Sequence, residues 1–118
     1  KYLMELPDLS TAQNLEHIRL DMCESLSHLD PSILSLPKLY EVLLMCCGSL
    51  KTLKSERQSQ SIKTMFVIGC SFKECSFSSN RIDDLDLGST PIEILNFPIG
   101  HMKKLQRLRL DCSKLKNL

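Results

Sequence analysis

Six cysteines and three histidines are the residues of this 118-residue chain best suited to hold a metal, form a disulfide or act as nucleophile and base. A structural zinc site needs four such ligands, typically grouped in C-x-x-C or H-x-x-x-H pairs. The nearest spacings here are the adjacent Cys46-Cys47 and Cys70-x4-Cys75, and neither fits. His17, His28 and His101 fall in unrelated parts of the chain and suggest no triad. There is no G-x-x-x-x-G-K-[ST] phosphate loop, so no nucleotide is expected to bind. The chain therefore reads as non-enzymatic, with no catalytic residue, no cofactor, no metal and no small-molecule substrate.

What the cysteines do share is a spacing. Cys23, Cys47 and Cys70 each stand ninth in one skeleton, L-x-x-[VIM]-x-[LV]-x-x-C. The copies are Leu15-x-x-Ile18-x-Leu20-x-x-Cys23, Leu39-x-x-Val42-x-Leu44-x-x-Cys47 and Ile62-x-x-Met65-x-Val67-x-x-Cys70. Ile82-x-x-Leu85-x-Leu87-x-x-Thr90 follows, then Leu105-x-x-Leu108-x-Leu110 with Cys112 one place early. Each unit closes on an apolar pair three residues apart: Leu3/Leu6, Leu26/Leu29, Leu50/Leu53, Phe72/Cys75, Ile92/Leu95 and Leu115/Leu118. The first members of those pairs lie 23, 24, 22, 20 and 23 residues apart. Two independent sets of positions thus keep one period, which fixes the architecture before any local reading.

The period and skeleton resemble the leucine-rich repeat. The implied fold class is α/β, a right-handed leucine-rich repeat solenoid forming part of a horseshoe. A parallel sheet lines its concave side, and loops, 3₁₀ turns or short helices return along the convex side. Residues 1–118 make one domain of about five repeats. Both ends cut through a repeat and neither carries a cap, so the sequence reads as a fragment of a longer array. In such repeats the ninth position points inward and hydrogen-bonds the loop backbone, with cysteine standing in for asparagine. Neighbouring cysteines of the column would then lie roughly 5 Å apart, one strand spacing. That distance does not exclude a disulfide, but buried free thiols are the simpler expectation for a periodic column.

Composition sets further bounds. With 42% hydrophobic and 25% charged residues and a formal charge of +1, the chain has no bias toward nucleic acid or an anionic membrane. No apolar run approaches the ~18 residues that span a bilayer. The opening Lys1-Tyr2-Leu3-Met4-Glu5 lacks the apolar core of a signal peptide. In the returns, Asp30 can cap and Pro31 can open a helical turn, while Pro37 forbids a long helix. The polar run from Ser55 to Ser61 is expected on the outer side, poorly ordered. The segment from Asn96 to Lys104 allows one or two helical turns at most.

Side chains alternate along a strand, so the residues between the strand leucines face outward on the concave sheet. The third repeat position reads His17, Glu41, Thr64, Asp84, Arg107; the fifth reads Arg19, Leu43, Phe66, Asp86, Arg109; the seventh reads Asp21, Met45, Ile68, Gly88, Asp111. Leu43, Met45, Phe66 and Ile68 would cluster on two adjacent strands, with Arg19 on one side and Asp84, Asp86, Arg107 and Arg109 on the other. An apolar patch rimmed by charge marks a surface for a protein partner. A register slip in the degenerate third repeat would instead turn some of these side chains inward. The basic residues of the last repeat (Lys103, Lys104, Arg107, Arg109, Lys114, Lys116) have no aromatic interleaving and read as a solvated edge rather than a nucleic-acid contact.

Three motifs narrow the resemblance. Leu6-Pro7-Asp8-Leu9-Ser10-Thr11-Ala12-Gln13-Asn14-Leu15-Glu16 resembles the "LPDLS-x-A-x-NLE" junction of plant intracellular immune receptors of the TIR–nucleotide-binding–leucine-rich-repeat class. Cys23-Glu24-Ser25-Leu26 followed by Pro31-Ser32-Ile33 is similar to their "C-x-SL … P-x-SI" repeat. Asp84-Leu85-Asp86-Leu87-Gly88-Ser89-Thr90-Pro91-Ile92-Glu93 is similar to their "ELDLSSTAIEEL" segment. The resemblance implies a disease-resistance receptor, cytoplasmic or nuclear, whose repeats sense pathogen effectors and restrain the nucleotide-binding module. Partners would be an effector or another domain of the same receptor. An extracellular repeat receptor would instead show N-x-[ST] acceptors, and none of Asn14, Asn80, Asn96 and Asn117 begins one. Free cysteines also favour a reducing compartment. The substrate-recognition repeats of a ubiquitin-ligase scaffold remain a third reading, one that needs an adaptor-binding domain elsewhere.

Overall fold

The computed structural model describes residues 12–24, 26–27, 29–55, 57–96 and 102–111. Among these residues eight strands run in chain order: β1 (His17–Asp21), β2 (Glu41–Met45), β3 (Thr52–Lys54), β4 (Thr64–Ile68), β5 (Glu74–Ser76), β6 (Asp84–Pro91), β7 (Ile94–Asn96) and β8 (Arg107–Asp111). They form a five-stranded sheet in the order β1-β2-β4-β6-β8 and a three-stranded sheet in the order β3-β5-β7, with every pair parallel. Each strand of the large sheet pairs with its equivalent one repeat away, which is the arrangement of a solenoid and of the leucine-rich repeat expected from the period.

The alternation of burial explains why these segments are strands. Ile18 and Leu20, Val42 and Leu44, Met65 and Val67, and Leu85 and Leu87 are buried, while their immediate neighbours face outward. From the small sheet Leu53, Cys75 and Leu95 point back at them. The closing-pair residues Leu26, Leu50, Phe72 and Ile92 fill the space between, joined on one side by Ile33, Leu34, Leu36 and Leu39. No single unit encloses its own leucines; each stacks on the next, and every buried aliphatic or aromatic side chain contributes about 1.5–3 kcal/mol.

The small sheet was not anticipated. Its strands are three residues long, too short for alternation to register in the sequence, and they follow the inner turn where a loop was expected. The one helical segment among the described residues is a 3₁₀ turn, Pro31–Ser35, entered as the sequence suggested: the Asp30 carboxylate accepts from Ser32 N at 2.9 Å and from Ser32 Oγ at 2.9 Å. Residues 97–101, His28, Cys112 and the terminal closing pairs lie outside the described residues.

The polar run before the third repeat is a correction. Ser59 is buried and bridges to Ser79 of the next unit. Its Oγ accepts from Ile62 N at 3.0 Å and Ser61 N at 3.2 Å. Ser61 Oγ in turn donates to Leu39 O at 2.6 Å, and Ser79 Oγ donates to Ile62 O at 2.7 Å. In the other units the residue at this offset, Ala12, Leu36 or Met102, closes the same turn through its carbonyl alone. Ser59 Oγ takes that turn-closing bond instead, freeing the Ser59 carbonyl to accept from Asn80 N at 3.3 Å. One residue of a run that looks like linker thus belongs to the wall, while Arg57, Gln58 and Gln60 stay exposed.

Seven residues past the first apolar position of its unit, the chain takes up one backbone conformation in four successive units. Met22 (φ 55°), Cys46 (φ 58°), Gly69 (φ 70°) and Ser89 (φ 55°) all adopt the left-handed backbone there. Only Gly69 does so without steric cost. The next residue is Cys23, Cys47, Cys70 or Thr90, each buried.

Candidate functional site

The register places the first two concave rows where the spacing puts them on all five strands of the large sheet. His17, Glu41, Thr64, Asp84 and Arg107 are successive partners; so are Arg19, Leu43, Phe66, Asp86 and Arg109. Asp21, Met45 and Ile68 follow in the third row. That row then departs from expectation. A bulge between Leu87 and Pro91 sets Asp111 opposite Pro91 rather than Gly88.

Leu43 with Phe66 and Met45 with Ile68 are therefore paired across β2 and β4, all four half-buried on the outer face. The register does not slip: Val42, Leu44, Met65 and Val67 take the inner face beside them. Arg19 stands exposed on the β1 side of the patch. On the β6 side Asp84 and Asp86 are half-buried, backed by exposed Arg107 and Arg109 on β8. The nine residues thus form one surface four strands wide at its apolar and charged centre, with Arg19 on a fifth.

Its acidic part has fixed internal partners. Asp84 Oδ2 lies 3.6 Å from Arg107 Nη1, while Asp84 Oδ1 is buried without a hydrogen bond among the described residues. Asp86 Oδ1 folds back to accept from Gly88 N at 2.9 Å. Gly88 leaves room for this: a Cβ there would come within 3.0 Å of Asp86 Oδ1 and 3.3 Å of Arg109 Cδ. Arg109 accordingly lies along the glycine with its aliphatic stem. An exposed ion pair such as Arg107–Asp84 contributes about 0–1 kcal/mol, so its role is to hold the carboxylate rather than the fold.

Behind the turn, the cysteine column is a ladder of hydrogen bonds. Cys47 N donates to Cys70 Sγ at 3.4 Å and Cys70 N to Thr90 Oγ1 at 3.2 Å. Cys70 Sγ reaches Leu44 O at 3.9 Å, and Thr90 Oγ1 donates to Val67 O at 3.0 Å. Cys23, Cys46, Cys47, Cys70 and Cys75 are all free thiols. Burial pushes the Cys47 thiol up, the Cys70 thiol to about 11 and the Cys75 thiol to about 12. Thiols held protonated in this way are inert, which suits packing rather than nucleophilic chemistry. Among the described residues no group of three or more His, Cys, Asp and Glu side chains could hold a metal ion.

Two features escaped the sequence reading. His17 and Tyr40 pack edge to face, ring centroids 6.2 Å apart, at the N-terminal edge of the large sheet. Further along that edge Lys103 and Lys104 meet Lys63 and Arg81 of the two preceding units around an open depression. Along the chain the two lysines had grouped with Lys114 and Lys116, which lie outside the described residues. The stacking of equivalent loops, visible in the repeat offsets, is the signal that would have joined them to Lys63 and Arg81.

Comparison with known proteins supplies the context. The disease resistance protein RML1A of Arabidopsis thaliana is 37% identical over 98% of this chain. The protein SUPPRESSOR OF npr1-1, CONSTITUTIVE 1, from the same plant, is 34% identical over 97%. The disease resistance-like protein CSA1 is 36% identical over 98%. The chain spans 12%, 8% and 10% of these relatives' lengths respectively. No family profile and no solved structure matches. No described helix is long and apolar enough to cross a membrane.

Proposed function

Because the chain belongs with the leucine-rich repeat regions of plant TIR–nucleotide-binding–leucine-rich-repeat disease resistance proteins, we propose that its concave sheet is the protein-recognition surface of an intracellular immune receptor. The module itself carries out no catalysis. It senses a pathogen effector and, in the resting state, helps restrain the nucleotide-binding module, working in the cytoplasm or nucleus. A solenoid with buried, protonated thiols and a parallel sheet open on one face is compatible with such a non-catalytic part.

The observation that carries the reading is the quartet Leu43, Met45, Phe66 and Ile68, in register on β2 and β4 and facing away from the core. Such residues gain free energy when covered, on the order of 25 cal/mol per Å² of apolar surface. Arg19 on one side and Asp84, Asp86, Arg107 and Arg109 on the other would set orientation and reject mismatched partners. The test is the pair Leu43→Ser and Phe66→Ser in the full receptor. Loss of effector recognition, or signalling without an effector, is the expected outcome. Unchanged recognition together with unchanged autoinhibition would refute the assignment.

A further inference from the structure

The N-terminal edge of the large sheet carries a second surface, independent of the concave patch. Lys63 leads into β4, Arg81 and Asp83 into β6, and Lys103, Lys104 and Gln106 into β8. Together they line an open depression of about 340 Å³, at the lower end of the range seen for small-ligand sites. With Leu105 the lining numbers seven residues, of which four are cations and one is an acid. None of the four cations has a carboxylate within ion-pair distance among the described residues. The backbone at this edge is already committed: Asp83 N and Asp84 N both donate to Lys63 O, and Gln106 N and Arg107 N both donate to Asp83 O. Any recognition there must come from side chains.

From these facts we infer that the depression binds a small anion carrying several linked phosphate groups. The three leading loops are spread over two strand spacings, roughly 10 Å. One carboxylate or one isolated phosphate cannot bridge that span, whereas a short polyphosphate chain can touch the cations of all three units. Lysine suits it as a point charge with three donors. The lining holds no aromatic ring, so a nucleobase would have nothing to stack on. Asp83, the single acid, sits among the cations and disfavours a ligand that fills the floor completely, which points to a narrow chain rather than a bulky polyanion.

The experiment is calorimetric titration of the full-length protein with sodium tripolyphosphate at low ionic strength. ADP is kept present throughout so that a nucleotide site elsewhere in a longer chain is already filled. One-to-one binding that weakens as salt rises is expected. Lys63→Gln and Lys104→Gln should each weaken it about tenfold, the loss of one charge-assisted contact, while Lys73→Gln, exposed on another face, should not change it. Lys103→Gln provides a third variant of the same depression, and unchanged melting of each variant confirms its fold. Absence of binding to the unaltered protein, or equal binding by rim variants and the Lys73 control, would overturn the proposal. Tighter binding of a hexaglutamate peptide than of tripolyphosphate would overturn it in favour of an acidic protein segment.

Discussion

Replacing Met22 with glycine is expected to stabilise this protein, and replacing Gly69 with alanine to destabilise it, although both stand at the same point of the repeat. Met22 holds φ 55° and is 57% exposed, so little buried surface is lost with its side chain. A left-handed backbone costs a non-glycine residue roughly 1–2 kcal/mol. The greater freedom of glycine in the unfolded chain takes back about 0.5–1 kcal/mol. The balance for Met22→Gly is a gain of about 0.5–1 kcal/mol. For Gly69→Ala the same terms reverse sign, since its φ is +70°. A Cβ there would also arrive 3.2 Å from Cys46 Sγ. Cys46 is exposed and its sulfur can give way, so the steric addition is small and the total loss is about 1 kcal/mol. Urea unfolding followed by circular dichroism measures both, the midpoint rising for one variant and falling for the other with unchanged slope. Midpoints moving in the same direction, or a lower midpoint for Met22→Gly, would refute the claim that one left-handed register shapes the turn at Met22, Cys46, Gly69 and Ser89 alike.

Other perturbations follow from the same structure. Thr90→Val should cost about 2–3 kcal/mol, because it strips a partner from both buried Cys70 N and Val67 O; a urea midpoint within error of the unaltered protein would contradict the ladder. The buried thiols should make stability fall as pH rises above about 9. The thiols of Cys70 and Cys75 ionise only near 11 and 12 in the fold but near 9 once unfolded, so the unfolded state releases protons first. Each such group steepens the loss by up to ~1.4 kcal/mol per pH unit until its folded value is passed, and Cys75→Val should flatten that limb. On the concave sheet Leu43→Ser with Phe66→Ser should leave the melting temperature nearly unchanged while altering recognition. At the sheet edge Lys63→Gln and Lys104→Gln should change only anion binding.

Much of this architecture was legible because one physical requirement repeats. A strand with one face on the core must alternate, and a stacked unit must place its apolar residues at the same offsets as its neighbour. Ile18, Val42, Met65, Leu85 and Leu108 announce this in the sequence, and with them the outward rows of the concave sheet. The degenerate third unit kept register because Met65 and Val67 preserve the inward pattern although Phe72 and Cys75 replace its closing leucines. Features depending on single atoms were not legible. The roles of Ser59 and Ser79 hang on one hydroxyl each, that of Ser59 within a run that composition marks as linker, although both stand three residues before the first apolar position of their unit. The bulge after Leu87 arises where Gly88, Ser89 and Pro91 replace stronger strand formers. Loops distant in sequence but stacked in space, such as those bearing Lys63, Arg81 and Lys104, become a common surface only once the coil is built.

The five long strands begin 24, 23, 20 and 23 residues apart, yet their first residues remain direct partners. The differences in spacing have therefore been absorbed in the returns, and the first two outward rows behave like lines on a ruled page, with only the third displaced at the bulge after Leu87. A substitution at any one square alters what is written there without touching the binding of the book. Such a surface can exchange its outward side chains one character at a time, at little cost to the inward alternation that folds it.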